Sequence, residues 1–172
     1  IVDPKPNTIN LFKNVFAITP NTKEAREITN SKSSPEELSK IIAKEYNTHV
    51  IITQGSKGTS TYNKDTEEYK HLPAKAREVY DVSGAGDTFI ATLTLALASK
   101  TELYVATQIA NQAAGIVVGK FGTATLTLDE LKSSFNGTNS KIKTREELTK
   151  IVQELKTKGK KIVTTNGIYD LL

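Results

Sequence analysis

The stretch DVSGAGDTFIATLTLALAS, Asp81–Ser99, places two glycines and two aspartates directly before a segment that is otherwise apolar or threonine. We predict a helix that begins near Gly86 or Asp87, because no Gly or Pro interrupts the apolar run that follows. The first amide groups of a helix have no partner within it and carry partial positive charge, so they can bind an anion. Gly84 and Gly86 would let the backbone approach a phosphate closely.

Asp87, which follows the two glycines, affects whether the glycine turn is explained by structure or by catalysis. On the glycines alone, a tight turn into a buried helix is the simpler explanation, and a carboxylate here can simply cap the helix. Beside an anion site, the same carboxylate could accept a proton from a hydroxyl that attacks phosphorus. Phosphoryl transfer needs mainly positioning and charge neutralisation, so little more would be required locally. Because Phe89–Ala98 is apolar on all sides, we predict that this helix lies in the core.

Composition limits the function classes. The chain has 172 residues, 37% hydrophobic and 24% charged, which is typical of one ordinary globular domain or a domain plus a fragment. It lacks both a continuous apolar run of membrane-spanning length and an N-terminal signal segment, so we expect a cytoplasmic protein without a membrane partner. There is no cysteine, and the two histidines are far apart in sequence, so any metal would be held by oxygen ligands.

The positive charge is confined to one part of the chain. The net charge is +4, but Lys132–Lys161 holds nine basic and three acidic residues, which makes +6 there and −2 elsewhere. A solvated linker and helix face explain this excess, so we predict no nucleic-acid partner.

Strands and helices alternate along the chain, which predicts an α/β sheet with helices on both faces. The expected strands are Val15–Thr19, His49–Thr53 and a hairpin of Thr59–Asn63 with Glu67–Leu72. The expected helices begin at Ser34-Pro35, near Glu102 (with an apolar face of Val105, Ile109, Ala113 and Ile116) and at Thr144, after a linker over Ser133–Lys143.

Residues Asp81–Thr88 resemble the D-[TV]-[TS]-G-A-G-D-T signature of the ribokinase-like (PfkB) sugar kinases, which is far more specific than a glycine-rich loop. The resemblance implies the family's three-layer α/β/α fold, with ATP and a small-molecule sugar phosphate as partners. It also implies the roles of this turn: Asp87 is the catalytic base, and the amides of Gly84, Ala85 and Gly86 form the anion hole. Asp81, with Ser83, would help to hold a monovalent cation such as K⁺, as in many members.

Three further elements resemble the family in the expected order. TPNTKE, residues 19–24, is similar to its N-x-x-E element, which organises Mg²⁺ and phosphate through water; taken alone, it is an ordinary helix cap. TQGSKG, residues 53–58, is similar to the turn beside the nucleotide phosphates, and NQAAG, residues 111–115, falls where the family lines the adenine pocket. A strand-ending turn and simple helix packing would also explain these two. The residues implied are Asn21, Glu24, Thr53, Gly55, Gly58, Asn111 and Gly115.

One branch of the family matches more closely. The segments 76–99 and 110–131, together with IVDPKP at residues 1–6, resemble the D-glycero-β-D-manno-heptose-7-phosphate kinase module of bacterial ADP-heptose synthesis. Thr92 is typical of that branch, whereas Pro6 replaces its glycine. The resemblance covers residues 1–131, the C-terminal half of such a kinase. We therefore expect a fragment that lacks most sugar contacts and is inactive alone.

The segment KIVTTNGIYDLL, Lys161–Leu172, resembles the first strand of a nucleotidyltransferase domain, with Ile168 in place of the usual Cys. Alternatively, it adds a strand to the kinase sheet. The predicted organisation is a kinase part over residues 1–132, a linker over 133–143 and the start of a truncated nucleotidyltransferase domain over 144–172. Two other functions stay open: a kinase of ribose or fructose 6-phosphate, and a non-catalytic nucleotide-binding module. The sequence also leaves open whether the protein is a homodimer.

Overall fold

The computed structural model describes residues 1–74, 81–120, 125–135 and 144–163. Within the described part of residues 1–134, four strands form one sheet in the order β1-β2-β3-β4. The first pair is parallel and the other two pairs are antiparallel. The strands are β1 (Ala17–Ile18), β2 (His49–Thr53), β3 (Thr59–Asn63) and β4 (Glu68–Leu72). The predicted hairpin is therefore present as β3 and β4.

β1 is shorter than the predicted strand Val15–Thr19, although its hydrogen bonds extend beyond it. His49 N–H donates to the Phe16 carbonyl at 3.0 Å, and Thr19 N–H donates to the Val2 carbonyl at 3.0 Å. Val2 also forms an isolated parallel bridge with Ile18. The N-terminal residues therefore continue the sheet beyond β1.

Six α-helices lie in the described residues, together with single 3₁₀ turns at Ile9–Leu11 and Gly55–Lys57. The helices are α1 (Thr22–Thr29), α2 (Pro35–Tyr46), α3 (Ala85–Ala98), α4 (Leu103–Val118), α5 (Leu128–Phe135) and α6 (Arg145–Thr157). α2 begins as predicted: the Ser34 hydroxyl accepts a hydrogen bond from Glu37 N–H, and the Glu37 carboxylate accepts one from Ser34 N–H. In the described ranges, no helix has both the length and the apolar character needed to cross a membrane.

The core has two parts, one on each face of the sheet, because successive side chains of a strand point to opposite faces. Val50 and Ile52 of β2 pack with α1 and α2, whereas Ile51 packs with α3 and α4. The first part contains Ile9, Ile18, Ala25, Leu38, Ile42, Ala43, Tyr46, Val50, Ile52 and Tyr62. The second contains Ala17, Ile51, Phe89, Leu93, Leu103, Ala106 and Ala110. Helices cover both faces, as predicted.

α3 is not enclosed by the core in the described residues, contrary to the prediction. Phe89 and Leu93 are buried, but Leu95 on the outer face is 71% exposed. α3 forms an outer layer of the fold, so only the face toward the sheet and α4 is covered.

The predicted apolar face of α4 is also wrong. Of its four residues, only Ala113 belongs to the face that the helix buries. Val105 is 41% exposed, and Ile109 and Ile116 are partly covered. The helix buries a different set: Leu103, Ala106, Thr107, Ala110, Ala113 and Val117. Apolar residues surround this helix, so periodicity alone did not identify the packed face, which is rich in small residues.

Residues 135–172 form a second unit. The last residues of α5, 133–135, are helical although they fall in the predicted linker, and the rest of that linker, 136–143, lies outside the described residues. α6 begins after Thr144, whose carbonyl accepts a hydrogen bond from Leu148 N–H at 2.9 Å. Residues 161–163 have no regular secondary structure, and 164–172 lie outside the described residues, as does most of the predicted nucleotidyltransferase strand.

Candidate active site

The candidate site lies where parallel segments of the sheet end. Asp3 follows Val2, Asn21 follows β1, and the turn after Thr53 follows β2. Carboxyl ends of neighbouring parallel strands meet at one edge, which is where open α/β sheets bind ligands. An isolated parallel bridge joins Asn21 to Thr53, and Thr53 N–H donates to the Pro20 carbonyl at 3.1 Å. Two of the predicted nucleotide elements are thus adjacent.

The glycine turn opens α3 with amide groups that are available to a ligand. Gly84 is the N-cap in a left-handed conformation with φ of 76°, and no side chain caps the helix. Ala85 N–H donates to the Val82 carbonyl at 3.3 Å, and Thr88 N–H donates to the Gly84 carbonyl at 2.9 Å. Within the described residues, the amides of Gly84, Gly86 and Asp87 have no such partner. Ala85, which the resemblance places in the anion hole, already uses its amide in the turn.

Gly84 and Gly86 are glycines for different reasons. At Gly84, the positive φ disfavours any residue with a Cβ. Gly86 has an ordinary helical backbone, and a Cβ built on it meets no described atom within 4 Å. The fold itself therefore does not require glycine at position 86. Close approach of a ligand to the backbone would explain why a glycine is present there.

Asp81 and Ser83 form a small turn ahead of α3. The Asp81 carboxylate accepts a hydrogen bond from Ser83 N–H at 2.8 Å. Hydrogen bonds from the Ser83 backbone and side chain lower the pKa of Asp81 below its ordinary value, so the carboxylate is charged at neutral pH. A charged oxygen ligand of this kind suits the predicted monovalent cation.

Asn21 and Glu24 form a capping box at the start of α1. The Asn21 Oδ1 accepts from Glu24 N–H at 3.0 Å, and the Glu24 Oε2 accepts from Asn21 N–H at 2.9 Å. The Glu24 Oε1 lies 2.9 Å from Lys5 Nζ. Each of these oxygens has a second lone pair, so it can still accept a hydrogen bond from water.

Four charged residues, Asp3, Lys5, Glu24 and Asp87, form what we call the charged edge. Burial raises the pKa of Asp3; Lys5 acts against this rise, whereas the charges of Glu24 and Asp87 add to it. The charges of Glu24 and Asp87 therefore act on Asp3 from the starts of α1 and α3. Sequence reasoning gave no role to Asp3 or Lys5, although both lie in the quoted IVDPKP stretch. The ion pair of Lys5 with Glu24 and the electrostatic effect of Glu24 and Asp87 on Asp3 single them out.

A cleft of about 340 Å³ lies beside the charged edge. The predicted nucleotide residues Thr53, Gly55, Gly58, Asn111 and Gly115 all line it, together with Ala85 and Gly86 of the glycine turn. The remaining lining residues, which sequence reasoning missed, are Ser56, Thr59, Ala74, Val82, Phe89, Ala114 and Val118. The lining is mostly apolar, which suits the flat face of a nucleobase. The carboxylate of Asp87 is exposed and is not part of this lining.

Two residues hold the wall of the cleft. Asn111 accepts a hydrogen bond from the Thr59 hydroxyl at 3.2 Å and donates one to the Pro73 carbonyl at 3.0 Å. Gly58 has φ of 94°, and a Cβ built there would lie 2.0 Å from the Leu72 carbonyl oxygen. These contacts fix α4 and the turn after β2 against β3 and the end of β4.

The chain is similar to known proteins in sequence and in fold. The family model "pfkB family carbohydrate kinase" matches residues 1–131. "Bifunctional protein HldE" of Aliarcobacter butzleri is 42% identical over the whole chain, which spans 38% of that relative's length. Ribokinase from Thermotoga maritima has a TM-score of 0.67 at 24% identity, covering 73% of this chain and 44% of that one. Arabidopsis thaliana ribokinase, complexed with ribose and ATP, has a TM-score of 0.61 at 24% identity, covering 76% and 43%.

Proposed function

Because this chain belongs to the pfkB family of carbohydrate kinases, we propose that it forms the nucleotide-binding and phosphoryl-transfer part of a heptose kinase. The reaction is the transfer of the ATP γ-phosphoryl group to the anomeric hydroxyl of D-glycero-β-D-manno-heptose 7-phosphate, which gives the 1,7-bisphosphate. The name of the HldE relative and the heptose-kinase resemblance of residues 1–6, 76–99 and 110–131 support this substrate. The chain spans only 38% of that relative, so the whole reaction is a property of the longer protein.

One observation supports the proposal most strongly: α3 starts with open amides between the cleft and the charged edge. Gly86 lines the cleft, while the next residue, Asp87, joins the charged edge. A nucleotide seated in the cleft would direct its phosphates to the α3 start, where the amides stabilise the charge of the transition state.

Asp87 would act as the base. It takes the proton of the anomeric hydroxyl as that oxygen bonds to the γ-phosphorus, and the bond from phosphorus to the β–γ bridging oxygen breaks to release ADP. The amides of Gly84 and Gly86 are held by the turn and need no rearrangement, so their stabilising dipoles are already in place.

The residues at the α1 start fit Mg²⁺ held through water. Asn21 and Glu24 offer amide and carboxylate oxygens, which are the ligand type that this ion prefers, and it keeps several of its waters. Within the described residues, no group of three His, Asp or Glu side chains forms a metal site on its own, so the nucleotide phosphates would supply further ligands. When bound, Mg²⁺ neutralises phosphate charge. We also propose K⁺ near Asp81 and Ser83.

We further propose that the longer protein is bifunctional and cytoplasmic, with a nucleotidyltransferase that consumes the sugar 1-phosphate in ADP-heptose formation. The resemblance of residues 161–172 to the first strand of such a domain supports this. Release of pyrophosphate from ATP with a heptose 1-phosphate would test it on the full-length protein.

The kinase proposal is tested by assaying the full-length protein with Mg-ATP and a panel of heptose 7-phosphate, ribose and fructose 6-phosphate. We expect ADP formation with heptose 7-phosphate at the highest kcat/KM, and a new phosphorus signal from an anomeric phosphate. A preference for ribose or fructose 6-phosphate would overturn the substrate and keep the reaction class. Calorimetric binding of Mg-ATP without turnover of any sugar would identify a non-catalytic nucleotide-binding module.

A further inference from the structure

Lys5 has no role in the mechanism above, yet it lies within the charged edge. We propose that Lys5 binds the γ-phosphate of the nucleotide, exchanging its contact with Glu24 for one with the phosphate. This inference rests on the proposed kinase function and adds a residue to the same site.

The position of Lys5 suits this exchange. Its ammonium group lies 2.9 Å from the Glu24 carboxylate at the α1 start. It also interacts electrostatically with Asp3, on which the charge of Asp87 at the α3 start acts too. Lys5 therefore places a positive charge at the α1 start, one of the two helix starts that would flank the phosphates.

The Lys5 side chain is largely exposed, while its backbone is anchored. The side chain is 65% exposed, whereas that of Glu24 is 12% exposed. The preceding residue Pro4 is fully buried, and the Lys5 carbonyl accepts hydrogen bonds from the amide and hydroxyl of Thr8 at 2.9 and 3.1 Å. The anchored backbone holds the long side chain near the site, so the ammonium group needs only a rotamer change.

The contact with Glu24 is easily given up. An ion pair with one strongly exposed partner contributes little to stability. Glu24 keeps its second hydrogen bond, from Asn21 N–H, when Lys5 leaves. A phosphate carries more negative charge than a carboxylate, so an arriving γ-phosphate competes well for the ammonium group.

The test is K5M in the full-length protein, which keeps the length of the side chain and removes its charge. We expect kcat to fall about 100-fold, because one charged contact to the transition state is lost. We also expect a non-hydrolysable ATP analogue to bind about tenfold more weakly, while ADP, which lacks the γ-phosphate, binds within about twofold of wild type. K5R, which keeps the charge, should recover part of kcat.

The matched control is K40M, because Lys40 also forms an ion pair, with Glu36 at 2.7 Å, but on α2 and outside the site. It should match wild type in kcat and in the melting temperature. A K5M protein with near-normal kcat would overturn the inference, as would an equal loss of affinity for the analogue and ADP. If wild type turns over no sugar but the analogue is still selectively weakened in K5M, the proposed function fails and the Lys5 contact stands.

Discussion

The cleft and the charged edge both include a residue of the α3 start, Gly86 in the cleft and Asp87 in the charged edge, and they are built from different kinds of residue. The cleft is lined by glycine, alanine, valine and phenylalanine with a few hydroxyl and amide groups. The charged edge has three carboxylates and one lysine. Consecutive helical residues point about 100° apart, so Gly86 and Asp87 can serve the two regions from adjacent positions. The proposed function places nucleotide binding in the cleft and phosphoryl transfer at the charged edge.

D87N in the full-length protein should have the largest effect. Loss of the base should lower kcat about 10³-fold, while the affinity for ATP measured by calorimetry stays near the wild-type value, because Asp87 is not part of the cleft lining. Near-normal turnover would refute the base assignment. A large loss of ATP affinity would break the division between the two regions.

G58A should damage the cleft through the fold. The added Cβ would lie 2.0 Å from the Leu72 oxygen at a positive φ, so we expect urea denaturation of this chain to show a loss of about 3 kcal/mol. G55A is the control, because its φ is also positive but no described atom lies within 4 Å of the added Cβ, and it should cost about 1 kcal/mol. Equal losses of unfolding free energy in G58A and G55A would show that the close packing at Gly58 does not add to the cost of the substitution.

G86A should separate a ligand requirement from a folding requirement. A methyl group at this position meets no described atom, so the melting temperature should stay the same or rise. If the nucleotide passes close to this backbone, kcat/KM for ATP in the full-length protein should fall about 10- to 100-fold. Full activity of G86A would place the phosphates elsewhere.

H49Q should have the smallest effect and should leave both regions unchanged. Burial lowers the pKa of His49 below 6.5, with a smaller lowering from Lys64 and an opposing effect of Asp65. As pH falls, His49 takes up a proton in the unfolded chain before it does so in the folded chain. The stability that this difference contributes is therefore complete above pH 6.5 and is lost as pH falls below it. Denaturation at about pH 7.5 and pH 5.5 should show a weaker pH dependence in H49Q. An unchanged dependence would exclude His49 as its source.

Local signals in the sequence predicted much of the fold. β2, the β3–β4 hairpin and the Ser34 start of α2 depend on short-range patterns, and the structure has them all. The buried faces of α3 and α4 could not be predicted, because both helices are apolar around most of their circumference. The choice of face depends on neighbours that are distant in sequence.

The same limit applies to the site. α1 and α2 both begin with a capping box, at Asn21 and at Ser34, and the two motifs have the same local geometry. Of these two helices, only α1 starts beside the Thr53 turn and the charged edge, and this placement comes from the sheet rather than from the motif. The family resemblance could therefore predict a role for Asn21 and Glu24 that the motif alone could not, whereas only the structure drew attention to Asp3 and Lys5.

The bridge between Asn21 and Thr53 has a consequence for how the protein tolerates insertions. Asn21 and Thr53 each lie three residues after the paired residues Ile18 and Val50, so one extra residue between β1 and α1 would displace the α1 start from the turn after β2. The hairpin turn at residues 64–67 has no such constraint from the site and should accept added residues. Variation in chain length among relatives is therefore expected at that hairpin and not between β1 and α1.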